Sequence, residues 1–143
     1  KGGRLLPLVY PIRVLRAIRD ALPAGTSAAF WLFSQGNAEW FELALRLFPG
    51  INLQLAPLRS DPHVALRHLD ALAHADVLVL GGGAFSELAA SLNTEGISLA
   101  PGSVWAAMPV PALRAANISY PEGELQIDAL DALAAMLDRR CKV

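Results

Sequence analysis

The stretch Asp76-Val77-Leu78-Val79-Leu80-Gly81-Gly82-Gly83-Ala84-Phe85-Ser86-Glu87-Leu88-Ala89-Ala90 decides the fold. Four apolar residues run straight into three glycines and then into a helical pattern. A strand buried on both faces of a parallel sheet reads as a continuous apolar run, not an alternating one. Glycines after such a strand permit a tight turn and let a ligand come close to the backbone. The helix that follows offers unpaired N–H groups and the positive end of its dipole, which suits a phosphate. The same pattern also fits plain turn chemistry, because the spacing is neither that of a dinucleotide fingerprint nor that of a P-loop with its lysine.

Working outward, apolar residues at helical spacing predict helices over residues 11–22, 37–48, 62–73 and 124–139, with a short one over 85–92 after the glycines. Apolar runs bounded by turn residues predict strands over 28–33, 51–55, 77–80 and 97–100, and an edge strand over 117–120. Residues 104–116, interrupted by Pro109 and Pro111, read as irregular pieces or one short helix. Asn37 and Asp61 stand where helix caps belong, Asp61 being followed by Pro62 at the first helical position. Strands alternating with helices predict an α/β fold of three layers, with a Rossmann-like parallel sheet of about five strands. No repeat, low-complexity tract or linker divides the 143 residues, so residues 1–143 read as a single domain.

Composition narrows the function. Hydrophobic residues make up 54% and charged residues 17% of the chain, which is a globular balance. The net charge of −1 and the lack of a basic stripe argue against nucleic acid as a partner. No apolar run approaches the roughly 20 residues of a membrane span. Cys141 is the one cysteine, so neither an internal disulfide nor a cysteine metal cage is available. His63, His68 and His74 are spaced by five and six residues, which scatters neighbouring ones around a helix, and no metal site is expected. The chain opens at Lys1 rather than methionine, so it is read as a piece of a longer protein or a processed product.

In a parallel α/β sheet the ligand sits beyond the carboxyl ends of the strands. Small and polar residues follow each predicted strand there: Ser34, Gln35 and Gly36; Arg59, Ser60 and Asp61; Gly81, Gly82, Gly83, Ala84, Phe85 and Ser86; Pro101, Gly102 and Ser103. Ser86 reads either as a hydroxyl donor to phosphate or as a helix cap, and Glu87 as an acid favoured by the dipole. Arg4 reads either as part of a loose terminus or as a cation reaching a diphosphate. Trp31, Trp40 and Trp105 read as core or pocket wall, with Trp105 the one placed to stack on a base. No Ser/His/Asp or Cys/His constellation emerges from spacing.

HADVLVLGGGAFSELAASLN, residues 74–93, resembles a segment of the donor-binding domain of fucosyltransferase-like glycosyltransferases of the two-domain GT-B fold, whose pattern is roughly ADxLVxSxSSFSxxAAxLN. FWLFSQGNAEWF (30–41) resembles the strand of that family ending in Ser-Gln/Glu-Gly, and LRSDPHVALRHL (58–69) its Asp-containing segment. The resemblance implies the C-terminal half of such an enzyme. It implies a nucleotide-sugar donor such as GDP-fucose bound without a metal ion, no other cofactor, and inverting transfer to a glycan hydroxyl. Gly82, Gly83, Ala84, Phe85 and Ser86 would then contact the diphosphate and its surroundings. Ser34, Gln35 and Gly36 would line the nucleotide crevice, and Asp61 would approach the base or ribose.

The chain departs from the family in three ways. Glycine and alanine replace one or two serines of the turn. Lys1-Gly2-Gly3-Arg4 stands where an upstream His-x-Arg-x-Gly-Asp motif belongs. The acceptor-binding N-terminal domain is missing, so transfer by this chain alone is not expected. A eukaryotic parent would place the protein in the Golgi lumen, a bacterial one in the cytoplasm. The alternatives are a stand-alone Rossmann-like nucleotide-binding or regulatory module without transfer activity, and a degenerate fragment without a ligand.

Overall fold

The computed structural model describes residues 9–55, 61–81, 83–101, 115–119, 124–125 and 127–141. In chain order they form α1 (Val9–Ala21), β1 (Phe30–Ser34), a 3-10 turn (Ala38–Phe41), α2 (Glu42–Leu47), β2 (Ile51–Leu55), α3 (Pro62–Ala73), β3 (Val77–Val79), α4 (Ala84–Leu92), β4 (Ile97–Pro101), β5 (Ala115–Ser119), β6 (Glu124–Leu125) and α5 (Ile127–Cys141). The fold is α/β, as the alternation of patterns predicts.

The expected single parallel sheet of about five strands is replaced, among the described residues, by two sheets. One pairs β1 with β2 in parallel; the other runs β3-β4-β5-β6, parallel up to β5 and antiparallel at β6. The chain clusters into two compact units, Ser27–Asp70 forming the second and the remainder the first. Each unit contains a parallel βαβ arrangement: β1-α2-β2 in the second unit and β3-α4-β4 in the first.

In the first unit, α1 turns Tyr10, Ile12, Val14 and Ile18 inward. Leu78 and Leu80 around β3, Leu99 and Ala100 on β4, Ala89 on α4, and Leu133, Met136 and Leu137 on α5 are buried with them. Of the apolar residues expected at helical spacing, Ile12, Ile18, Leu133 and Leu137 are buried, Leu15 and Leu22 are half-buried and Ala134 is exposed, while Tyr10, Val14 and Met136 are buried in addition. Burying a side chain of leucine size contributes roughly 1.5–3 kcal/mol, so these residues carry most of the stability of the unit.

Two boundaries move. The predicted edge strand becomes β5, an interior strand between β4 and β6. The predicted start of the last helix becomes β6, with Ile118 opposite Leu125 and Ser119 opposite Glu124. Residues 104–114 of the ambiguous stretch lie outside the described residues.

The second unit is thinner. Among its described residues Ala44 and Phe48 are the buried apolar ones, while Trp31, Trp40, Leu43, Leu47, Leu55 and Leu66 are exposed. The predicted apolar face of α3 buries none of its residues. Asn37 precedes the 3-10 turn without a side-chain capping bond, and α2 begins only at Glu42.

Candidate functional site

At the carboxyl end of β3, Leu80 has both its backbone N–H and its carbonyl paired. Leu80 is buried; its N–H donates to the Leu99 carbonyl at 2.9 Å, and its own carbonyl accepts the Tyr10 hydroxyl at 3.3 Å. Tyr10 is 1% exposed, and burial pushes its phenol above its ordinary value of 10.0. The phenol is therefore a neutral donor throughout the physiological range. Gly81 and Gly83 follow, both exposed.

Among the described residues nothing forces either glycine. Positive backbone φ angles are found at Gly25 and Gly50 and not here, and a Cβ built on Gly81 or Gly83 would meet no atom within 4 Å. A glycine that neither conformation nor packing demands leaves room for something else against the backbone. Gly83 takes the N-cap position of α4 with extended angles and no side-chain capping bond. The first backbone N–H of the helix to find a partner in its own turn is that of Glu87, which donates to the Gly83 carbonyl at 3.1 Å. The unpaired donors and the dipole together give this end a positive character.

The Ser86 hydroxyl donates to the Gly83 carbonyl at 2.8 Å and does not cap an N–H at the helix start. The donors at the turn are backbone N–H groups. Ala84 and Phe85 open the helix, and Phe85 is exposed. Gly82 and Arg4 lie outside the described residues.

The other expected site residues belong to the second unit. The Ser34 hydroxyl accepts the Gly36 N–H at 3.0 Å in a local turn. Gly36 has a reason within the protein, because a Cβ there would come within 2.8 Å of the Trp40 ring. Gln35 is exposed. Asp61 is the cap of α3: its carboxylate accepts the His63 N–H at 2.9 Å and its carbonyl accepts from Val64 and Ala65. The sequence set is thus divided, with Ser34, Gln35, Gly36 and Asp61 in one unit and Gly81, Gly83, Ala84, Phe85 and Ser86 in the other.

Among the described residues no group of three or more His, Cys, Asp or Glu side chains is placed to hold a metal ion, and no helix is long and apolar enough to cross a membrane. Tyr10 is the residue that sequence reading missed, because its partner lies 70 positions away. No family model, curated protein or solved structure matches the chain.

Proposed function

We propose that the turn at residues 81–86 binds the diphosphate of a nucleotide sugar, and that the chain is the donor-binding half of a fucosyltransferase-like GT-B glycosyltransferase with a GDP-fucose-like donor. The observation that carries this reading is the pair of exposed glycines, Gly81 and Gly83, which no described residue requires, at the uncapped start of α4. Backbone N–H groups at the start of α4, together with the dipole, would stabilise the charge that develops on a departing diphosphate without a metal ion. The resemblance of residues 74–93 to the family's donor segment supports the choice of ligand. A glycan acceptor would be held by a separate domain.

The glycines and alanine that stand where the family's turn carries serine hydroxyls favour a second reading, a nucleotide-binding module without transfer activity, since they remove side-chain donors from the site. Calorimetric titration with GDP, GDP-fucose, UDP and ADP in the presence of a chelator tests both. The expected result is selective GDP binding that Gly83→Asp abolishes by like-charge repulsion while leaving the unfolding midpoint unchanged. A well-folded chain that binds none of the four overturns the proposal. GDP binding without hydrolysis or transfer of the sugar, in a chain supplied with its acceptor domain, selects the second reading.

A further inference from the structure

The second unit carries a face whose chemistry the diphosphate site does not use. In the parallel β1–β2 pair, Trp31 stands in register with Asn52 and Phe33 with Gln54. Residues in register in a parallel pair project to the same side, and alternate residues to opposite sides. One side of the pair therefore carries Phe30, Leu32, Ser34, Ile51, Leu53 and Leu55, of which Ser34 alone is polar. The other carries two aromatic rings beside two amides. The alternation of Ile51-Asn52-Leu53-Gln54-Leu55 is the sequence signal of that second, polar side, and it departs from the continuous apolar run of a strand covered on both faces.

The two aromatic rings lie against one another. Trp31 and Phe33 stack, with centroids 6.4 Å apart and planes 17° from parallel. His68 of α3 stands edge-on to Phe33 at 4.8 Å and closes that end. The Trp31 end is open, with the residue 56% exposed. Asn52 is exposed and Gln54 half-buried, and neither side chain is hydrogen-bonded to a described residue. Each amide offers two donors and an acceptor.

We infer that this face binds a neutral carbohydrate chain, with a pyranose ring stacked on Trp31 and its hydroxyls bonded to Asn52 and Gln54. A sugar ring has an apolar C–H face for the indole and, at its rim, hydroxyls that both donate and accept, as the two amides do. None of the four registered positions carries a charge, and the chain has a net charge of −1, so a phosphate-bearing polymer finds no counter-charge here. This face is independent of the glycines of the first unit, and neither reading depends on the other.

The test is a two-dimensional amide NMR titration of the full chain with cellohexaose, maltohexaose and xylohexaose at millimolar concentration, with adenosine as a planar, uncharged competitor. The expected result is saturable movement of the Asn52 and Gln54 side-chain amides and of the Trp31 indole N–H with at least one glycan. Trp31→Ala should weaken binding by about tenfold or more, and Trp31→Phe should restore part of it. Trp31 is exposed, so Trp31→Ala should keep the unfolding midpoint of the parent, which separates lost binding from lost fold. A folded chain whose three reporter groups do not move with any glycan overturns the proposal. So does movement caused by adenosine alone, or binding that Trp31→Ala leaves unchanged.

Discussion

The two ends of β3 are built in opposite ways. At its N-terminal end backbone and side chains are tied together by four contacts. The Asn93 side chain donates to the Ala75 carbonyl at 2.8 Å and accepts the Gly96 N–H at 2.7 Å. The Asp76 carbonyl accepts the Ile97 N–H at 2.9 Å, and the Asp76 carboxylate lies 3.6 Å from the Arg140 guanidinium. At the C-terminal end the Tyr10 hydroxyl holds the Leu80 carbonyl, and beyond it come exposed glycines with open space around them. Loops that carry function are drawn from the low-stability end of a fold, and a scaffold fixed elsewhere allows it. Here the fixed and the open loop flank a strand of three residues, Val77–Val79.

The glycines break or confirm this contrast most directly. Gly96 is a packing glycine: a Cβ there would overlap the Ala75 carbonyl oxygen and come within 2.7 Å of the Asp76 carbonyl oxygen and 2.9 Å of the Asn93 amide nitrogen. Backbone cannot give way as a flexible side chain does, so Gly96→Ala should cost about 3 kcal/mol or more, the upper part of the overpacking range. Gly81→Ala meets nothing and should stay within about 0.5 kcal/mol. Urea unfolding of the two variants measures the difference. Equal losses would mean that the two ends are not distinct.

A smaller effect is expected where the fixed and open regions meet. Tyr10→Phe keeps the ring and removes the hydroxyl, leaving the buried Leu80 carbonyl without its partner, at a cost of about 1–2 kcal/mol. The change should also alter the alkaline limb of stability. Burial raises the phenol above its unfolded value of 10.0, so above about pH 10 the unfolded chain loses this proton while the folded chain keeps it. Its contribution is full below that value and is lost as pH rises through the higher folded value, with a slope of up to about 1.4 kcal/mol per pH unit. Unfolding between pH 9 and 11, values chosen on that linkage argument as roughly one unit either side of the ordinary phenol, should show a shallower decline for Tyr10→Phe than for the parent. Parallel curves would place the alkaline sensitivity elsewhere.

These regions were unequally legible in the sequence. The apolar run, the glycines and the helix after them could be read from local pattern alone, and β3 and α4 stand where that pattern put them. Asp61 was readable as a cap because the following Pro62 fits only the first helical turn. Sheet membership could not be read, because pairing is a contact between distant segments. Nothing local in Phe30–Ser34 says that it pairs with β2 in a sheet of its own. The same reason hid the Tyr10–Leu80 bond and made Ser86 ambiguous, since a serine in a first helical turn can turn its proton to several acceptors.

The smallest predicted effect asks what kind of force fixes the N-terminal end. Arg140 reaches Asp76, and its Nη2 is 3.3 Å from both the Glu95 carboxylate and the Glu95 carbonyl. All three side chains are well exposed, so the ion pairs together should contribute no more than about 1 kcal/mol, and less as salt is added. Arg140→Ala should therefore lower stability slightly in dilute buffer. Most of that difference should vanish at about 1 M salt, where the Debye length falls to about 3 Å. The buried Asn93 bonds and the packing of Gly96 are not screened and should be as strong at either salt concentration. If the Arg140→Ala loss persists in salt, the neutral bond to the Glu95 carbonyl is what matters, and the loop is fixed by hydrogen bonds throughout. If Arg140→Ala costs as much as Gly96→Ala, the fixed end is held by charge rather than by backbone packing, and the contrast with the open end rests on electrostatics.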